Sequence, residues 1–197
     1  YKLETCVITN GTFIIEKLQN LKLTLAGEAS KLTRGTTLLD GISLPSRGTR
    51  DYQLTKELAV AIDNDNLSSG LYKCSIELQN EVKWIPYETV NDALSVTNAA
   101  TSMYPSQFTL EKRILSGSVG QYVTNTSNSD VQSWKEDVNV VITAGNGESS
   151  TDFRGFKFNL EHCTFTNRNT VSDVYTQAYD WKMNDNVADL GTKITLN

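Results

Sequence analysis

The side chain with the widest catalytic range in this sequence is His162, the only histidine of the chain. Catalysis of the Ser-His-Asp or Cys-His type would have to use this imidazole as its general base. The neighbouring Cys163 is a poor partner, because successive residues of a strand point to opposite faces. Since His162 lies in the strand-like run 156–166, we expect it to have a structural role.

The cysteines are the next candidates, and there are three of them, Cys6, Cys74 and Cys163, far apart in the sequence. They form no CxxC pair, and one histidine cannot supply a histidine-rich metal site. We therefore expect no metal ion, and we interpret the cysteines as small buried hydrophobic residues in a reducing compartment. One disulfide beside a free thiol is the alternative.

Paired carboxylates could serve glycoside hydrolysis, which uses two of them. The candidate pairs are Asp63 with Asp65 and Glu136 with Asp137. We expect both to be solvated turn charges. The run 63–66 resembles the start of a calcium loop, but Ser68 and Cys74 stand where that loop needs Gly and Glu. The glycine-rich stretches 117–120 and 145–148 match no phosphate-binding fingerprint. We expect no catalytic residue and no cofactor, and so a protein that is not an enzyme.

The elements that would position these side chains are mostly strands, because apolar and polar residues alternate over several short runs. Such runs lie at 21–26, 74–79, 108–111, 156–161 and 175–181, with a short final strand at 194–196. Turn signals separate them, such as Asn10-Gly11 and Ser69-Gly70. This pattern predicts a mainly β protein with half-buried strands.

Two segments favour helix. From Gln53 to Ile62, the apolar residues Leu54, Leu58 and Ile62 recur at helical spacing. A weaker candidate runs from Val131 to Glu136. The fold that we predict is two packed antiparallel β-sheets, as a sandwich or a partly open barrel, with one flanking α-helix.

The length and the net charge of the chain limit the number of domains and the kinds of partner. A chain of 197 residues suits one large β domain, and the absence of a linker predicts a single domain over 1–197. The net charge of -5 argues against a basic surface that grips nucleic acid. No apolar run approaches the length that spans a bilayer, so we expect no membrane insertion. A polar loop at about 33–51 is long enough to predict a functional role or ordering by a partner.

Several segments together resemble the tail tube proteins of bacteriophages. The segment 104–119, with 75–82 before it, resembles their central strand pair, in which a strand is followed by a loop and then by a strand with a basic residue and Ser-Gly. The runs 6–15 and 21–27 resemble the opening strands of that family, and 173–181 with 194–197 its closing strands. The order of these motifs along most of the chain carries the resemblance.

The resemblance implies a structural virion protein of the phage tail, assembled in the host cytoplasm. In that family six copies form a ring and the rings stack into a tube. The partners implied are other copies of the chain, other tail proteins, and viral DNA that passes through the lumen without specific binding. An acidic wall would avoid the phosphate contacts that make DNA binding strong.

Contacts between rings or subunits would come from the long loop. The residues that we expect to make them are Arg34, Leu44, Pro45, Arg47, Arg50 and Tyr52.

Two other interpretations stay open. A carbohydrate-binding or adhesive β-sandwich would use exposed aromatic side chains, for which Trp84, Trp134 and Trp181 are available. A related virion component, such as a tail terminator, would share the fold.

Overall fold

The computed structural model describes residues 1–34, 55–63, 65–67, 70–85, 105, 107–123, 134–146, 155–170, 176–186, 191 and 193–196. Every regular element in these ranges is a β-strand. The strands are β1 (Lys2–Glu16), β2 (Lys22–Thr33), β3 (Glu57–Ile62), β4 (Asp65–Asn66), β5 (Leu71–Trp84), β6 (Phe108–Tyr122), β7 (Trp134–Gly145), β8 (Gly155–Thr170), β9 (Thr176–Met183) and β10 (Ile194–Leu196).

All ten strands belong to one antiparallel sheet, in the order β2-β1-β5-β6-β9-β8-β7-β3-β4, with β10 paired to β8. Hairpins supply the pairs β1–β2, β5–β6, β7–β8 and β8–β9. Longer connections bring β5 beside β1 and β9 beside β6. The mainly β class that the sequence predicts is confirmed.

This sheet is curled into a half-barrel. Phe13 of β1 and Phe158 of β8 have three strands between them in the sheet order, yet their rings meet edge to face with centroids 5.6 Å apart. The turn after β1 also contacts the segment that leads into β3, because the amide of Leu18 donates to the carbonyl of Thr55 at 2.7 Å. The two packed sheets predicted from the sequence are therefore one continuous sheet in the described ranges, whose curvature brings distant strands together.

The helix predicted from Gln53 to Ile62 is wrong where it is described, since Glu57–Ile62 is strand β3. Leu58, Val60 and Ile62 are buried there and the residues between them are less so, which is the two-residue period of a strand. Residues 53 and 54 lie outside the described part. The second helix candidate, Val131 to Glu136, is also wrong where it is described, since β7 begins at Trp134; residues 131–133 lie outside the described part. No flanking helix is found among the residues that the structure describes.

The core lies on the concave face of the half-barrel. Its most buried large side chains include Tyr179, Phe158 and Phe165. Gly117 of β6 pairs with Ile76 of β5 and Trp181 of β9, and glycine is required there because a Cβ would lie 2.6 Å from Cζ2 of Trp181. Beside this apolar cluster, Gln121 accepts hydrogen bonds from Gln177 at 2.7 Å and from the hydroxyl of Tyr179 at 3.0 Å. Burying these groups is tolerated because they are bonded to one another.

Candidate interaction surface

Strand β2 forms one edge of the sheet, and a row of exposed leucines lies on it and at the residue directly before it. Leu21, Leu23 and Leu25 are 41%, 47% and 52% exposed. We call these three residues the leucine stripe. The sequence predicts them as the buried side of a half-buried strand, and the structure shows both sides of β2 exposed at these positions.

The leucine stripe continues the core face of the sheet. Leu23 pairs with Phe13, and Phe13 pairs with the buried Ile76. Residues directly opposite each other in an antiparallel pair point to the same face. Leu25 likewise reaches over Gly11, where an added Cβ would lie 3.2 Å from Cδ2 of this leucine. The half-barrel therefore buries its apolar face up to β1 and leaves that face uncovered on β2.

The outer edge of β2 is also free of a partner strand in the described part of the chain. A strand at the edge of a sheet presents N–H and C=O groups that can pair with a further strand. Leucines on one side and open backbone groups along the edge make β2 a surface that favours association.

Two strand pairs extend beyond the core as arms. Strand β1 pairs with β5 only from Asn10 to Glu16, so its residues before Asn10 pair with β2 alone. The second arm comprises residues 80–84 of β5 and 108–113 of β6. Because β1 and β5 are antiparallel, both arms leave the half-barrel on the same side.

Side chains tie the two arms to each other. Nδ2 of Asn80 donates to the carbonyl of Ile8 at 2.7 Å, and Nε1 of Trp84 donates to a carboxylate oxygen of Glu28 at 3.0 Å. Nε of Arg113 donates to Oδ1 of Asn80 at 3.0 Å. Asn80 therefore connects β1, β5 and β6 where the arms begin, and it holds the arms in one orientation.

His162 does not assemble a catalytic group with Cys163. Its Nδ1 donates to Oδ1 of Asp137 at 2.5 Å on the surface, and this carboxylate raises the pKa of the imidazole. Cys163 is buried, where its Sγ lies 3.8 Å from the carbonyl oxygen of Leu160. The expectation that the two side chains point apart is confirmed. His162 and Asp137 instead form an exposed ion pair between β8 and β7.

The cysteines are free thiols. Burial raises the pKa of Cys74 and of Cys163 to about 12, which makes them poor nucleophiles at neutral pH. Cys6 is exposed, so the prediction of three buried cysteines is wrong for this one. The described residues contain no group of three or more His, Cys, Asp or Glu side chains that could hold a metal ion.

The family of the chain follows from its sequence as a whole. Residues 1–193 match the model of the bacteriophage baseplate tube protein family. The chain belongs to that family. No curated protein matches it.

Membership of the baseplate tube family makes the chain a structural component of the phage tail and of the virion. It confirms the resemblance to a phage tail-tube family, since the baseplate tube family is close to the one expected. Among the residues that the structure describes, no helix is long and apolar enough to cross a membrane.

Of the contact residues predicted for this baseplate tube protein, only Arg34 is described, and it is exposed just after β2. Leu44, Pro45, Arg47, Arg50 and Tyr52 lie outside the described residues, and so do positions 35–51 of the predicted loop. The leucine stripe is the surface that sequence reasoning missed. Its alternation identifies a strand, but alternation does not distinguish an edge strand from a central one.

Of the tryptophans predicted for a sugar-binding surface, the structure describes the side chains of Trp84 and Trp181, and that of Trp134 lies outside the described part. Trp181 is 3% exposed in the core, and Trp84 is half-buried against Phe108, with ring centroids 5.4 Å apart. A sugar-binding surface needs accessible ring faces, which Trp181 does not offer.

Proposed function

We propose that this protein is the subunit of a tube built of stacked rings in the baseplate region of the tail, and that viral DNA passes through the lumen of this tube. The observation that carries the proposal is the family match over residues 1–193. We propose further that six copies form each ring, as the resemblance to tail tube proteins implies.

The uncovered side of the half-barrel supports a function in assembly. Burial of apolar surface stabilises by about 25 cal/mol per Å², and the leucine stripe leaves such surface in water. Single exposed leucines are ordinary on protein surfaces, but a row that continues a core face indicates a site of association. In a ring, the neighbouring subunit covers this row and pairs the edge of β2.

The arms support contacts along the tube. They project from one side of the half-barrel and carry exposed apolar residues, among them Leu3, Leu32 and Leu110. We propose that they touch the next ring, together with the residues of the predicted loop named above. Other tail proteins would bind the same surfaces at the ends of the tube.

We also propose that the protein is not an enzyme. His162 is paired with Asp137 on the surface, and the two buried thiols are held in their protonated form. A structural subunit requires neither group to react. The proposed assembly needs no cofactor.

Ring formation is tested on the purified full-length protein by light scattering and negative-stain microscopy. We expect masses that are multiples of the subunit, and rings or tubes in the images. The double variant Leu23→Thr/Leu25→Thr should shift the mass towards the monomer. The control is Leu32→Thr, which changes a leucine in the alternate row of β2 that is 61% exposed. Because we place Leu32 at the contact between rings, this change should leave single rings intact and reduce only their stacking.

A wild-type protein that stays monomeric at high concentration and is absent from isolated tails would overturn the proposed function. Rings that never elongate would indicate a terminator of the tube instead.

The passage of DNA without specific binding is tested with assembled tubes and a labelled duplex. Because the net charge of the chain is -5, we expect no change in fluorescence anisotropy even at low salt, where phosphate contacts bind most tightly. Binding that persists at about 0.15 M salt would contradict an unbound passage.

A further inference from the structure

We propose that the free subunit also pairs with a second copy of itself through β2. In this dimer the two β2 strands run antiparallel about a two-fold axis, and Leu25 of one copy faces Leu25 of the other. The dimer goes beyond the proposed ring and does not depend on it. Four features of β2 support it: the free edge, the order of large and small residues, the adjacent groove and the order of the charges.

The free edge determines what kind of partner fits. The outer edge of β2 has no strand beside it among the described residues, and a β-strand is the partner that satisfies all of its backbone groups. A two-fold interface must be self-complementary, because the same patch serves both copies. The candidate partner is therefore β2 itself, provided that its sequence is compatible with its own reverse.

The apolar residues of β2 meet this condition when the axis passes through Leu25. Each residue then faces the residue that is equally far from position 25 on the other strand. Leu23 faces Gly27, Leu21 faces Ala29, and Thr24 faces Ala26. Every large side chain of the leucine stripe other than Leu25 is opposite a small residue, so the two strands can approach without crowding.

A groove lies where those leucines would enter. It has a volume of about 630 Å³, and its lining includes Gly27 and Ala29 of β2 with Cys6 and Ile8 of β1. Ile8 pairs with Gly27, and Cys6 pairs with Ala29. In the proposed register, Leu21 and Leu23 of the second copy lie beside this groove and cover apolar surface that is exposed in the single subunit.

The charges of β2 agree with the same register. Lys22 faces Glu28 of the second copy, and by symmetry Glu28 faces Lys22, so two opposite-charge pairs form. In the single subunit Oε2 of Glu28 accepts the hydrogen bond of Trp84 on the inner side of β2, so the pair with Lys22 would use the other carboxylate oxygen. Cross-strand pairs of opposite charge stabilise a sheet, and like charges at the same place destabilise it.

A strand has one free edge, so a subunit paired in this way cannot use β2 for another neighbour. The dimer therefore protects the edge and the leucine stripe of a newly made subunit until it opens and the subunit joins a ring. This protection matters because an exposed apolar edge strand favours aggregation.

The register is tested by charge reversal, measured by sedimentation velocity. The variants Lys22→Glu and Glu28→Lys should each weaken the dimer by about tenfold, because each places like charges opposite each other. Mixing the two variants should restore a dimer that contains one copy of each, since both cross-strand pairs then become attractive. Glu28→Gln keeps an acceptor for Trp84 and should weaken the dimer less than Glu28→Lys.

A second measurement tests whether the two-fold axis passes through residue 25. In a Cys6→Ser background, Leu25→Cys should form a disulfide-linked dimer on mild oxidation, because residue 25 meets its own copy. Leu32→Cys, on the same strand but far from the axis, should not. The proposal is overturned by a monomeric wild type, by a mixture of the charge variants that forms no dimer, or by Leu25→Cys that stays uncrosslinked in a dimeric protein. Ring formation is a separate measurement, so its failure would not affect this result.

Discussion

Asp137 and His162 each adopt a left-handed backbone conformation, with φ of 59° and 54°, where β7 and β8 lose their regular register. Such values are uncommon for residues other than glycine and mark β-bulges. The bulges bring the carboxylate and the imidazole together on the surface. The pKa of His162 is raised first by its hydrogen bond to Asp137, then by the charge of that residue, with smaller effects from Asp185 and Glu161.

The first prediction concerns this pair. Since His162 is the only histidine, its imidazole gives a single resonance set, and its pKa can be followed by NMR. We expect Asp137→Asn to lower the pKa of His162 towards the usual imidazole value of about 6.5, and Asp185→Asn to lower it less. A pKa that is the same in Asp137→Asn and in the wild type would show that the pair does not form in solution.

The sign of the pH dependence follows from linkage. A base whose pKa is raised on folding contributes stability below its unfolded pKa, and this contribution disappears as the pH rises through the folded pKa. The contribution of this pair is therefore fully present below the ordinary pKa of an imidazole and is lost as the pH rises through the raised pKa of His162. Because both side chains are exposed, solvent screens the pair and we expect only a small effect on unfolding.

The second prediction concerns Gly117. A Cβ at this position would collide with the carbonyl oxygen of Ser75 and would lie 2.6 Å from Cζ2 of Trp181. Because backbone and a buried indole must both move, we expect Gly117→Ala to lower the free energy of unfolding by about 2–4 kcal/mol, measured by urea denaturation. The control is Ser116→Ala, on the other face of β6, which should change it by less than about 0.5 kcal/mol. Equal effects of the two changes would contradict the close packing of Trp181.

At the scale of elements, the tie between the arms rests on Asn80. Its side chain donates to Ile8 and accepts from Arg113. We expect Asn80→Ala to speed amide hydrogen exchange in the arm of β1 and β2 and to lower global stability by only about 1 kcal/mol. Exchange measured by mass spectrometry checks this, with the exposed Gln79→Ala as the control. Unchanged exchange in residues 2–8 would mean that the arms are held by other contacts.

The segment from Glu57 to Ile62 shows where sequence patterns fail at this scale. Leu58 and Ile62 are compatible with a helix, because their spacing of four suits one helical face. They are equally compatible with a strand, because four is also a multiple of two. Val60 distinguishes the two, since it is 1% exposed and pairs with Ile142 of β7. That pairing is a long-range contact, which local periodicity cannot reveal.

Where the alternation lies on a central strand, the prediction is confirmed. Phe156, Phe158 and Leu160 are buried on one face of β8, as their spacing indicates. The leucines of β2 show the same alternation and are exposed, because burial there depends on a strand beyond the edge of the sheet. The alternation of apolar and polar residues therefore does not reveal the leucine stripe as a surface, because a buried core strand shows the same alternation.

At the scale of the whole molecule, the half-barrel has one continuous core. Cys74 of β5 and Cys163 of β8 belong to the same cluster of buried residues. This arrangement predicts that the two thiols become accessible together, when the sheet as a whole unfolds.

The test is modification by a thiol reagent in increasing urea. In a Cys6→Ser background, we expect Cys74 and Cys163 to react with the same dependence on urea, and this dependence should coincide with the loss of the β-sheet signal in circular dichroism. In the wild type, Cys6 should react without urea because it is exposed. Reaction of Cys163 well before Cys74 would show that β8 opens separately from β5.

The shared direction of the arms has a consequence for any filament of this protein. One pole of each subunit carries the arms, and the opposite pole carries the turn in which Leu18 is bonded to Thr55. Copies stacked in one orientation would give a column whose two ends differ chemically, with bare arms at one end and bare turns at the other. The column would then be a polar filament, and the addition of subunits and the attachment of other proteins could each be restricted to one of its ends.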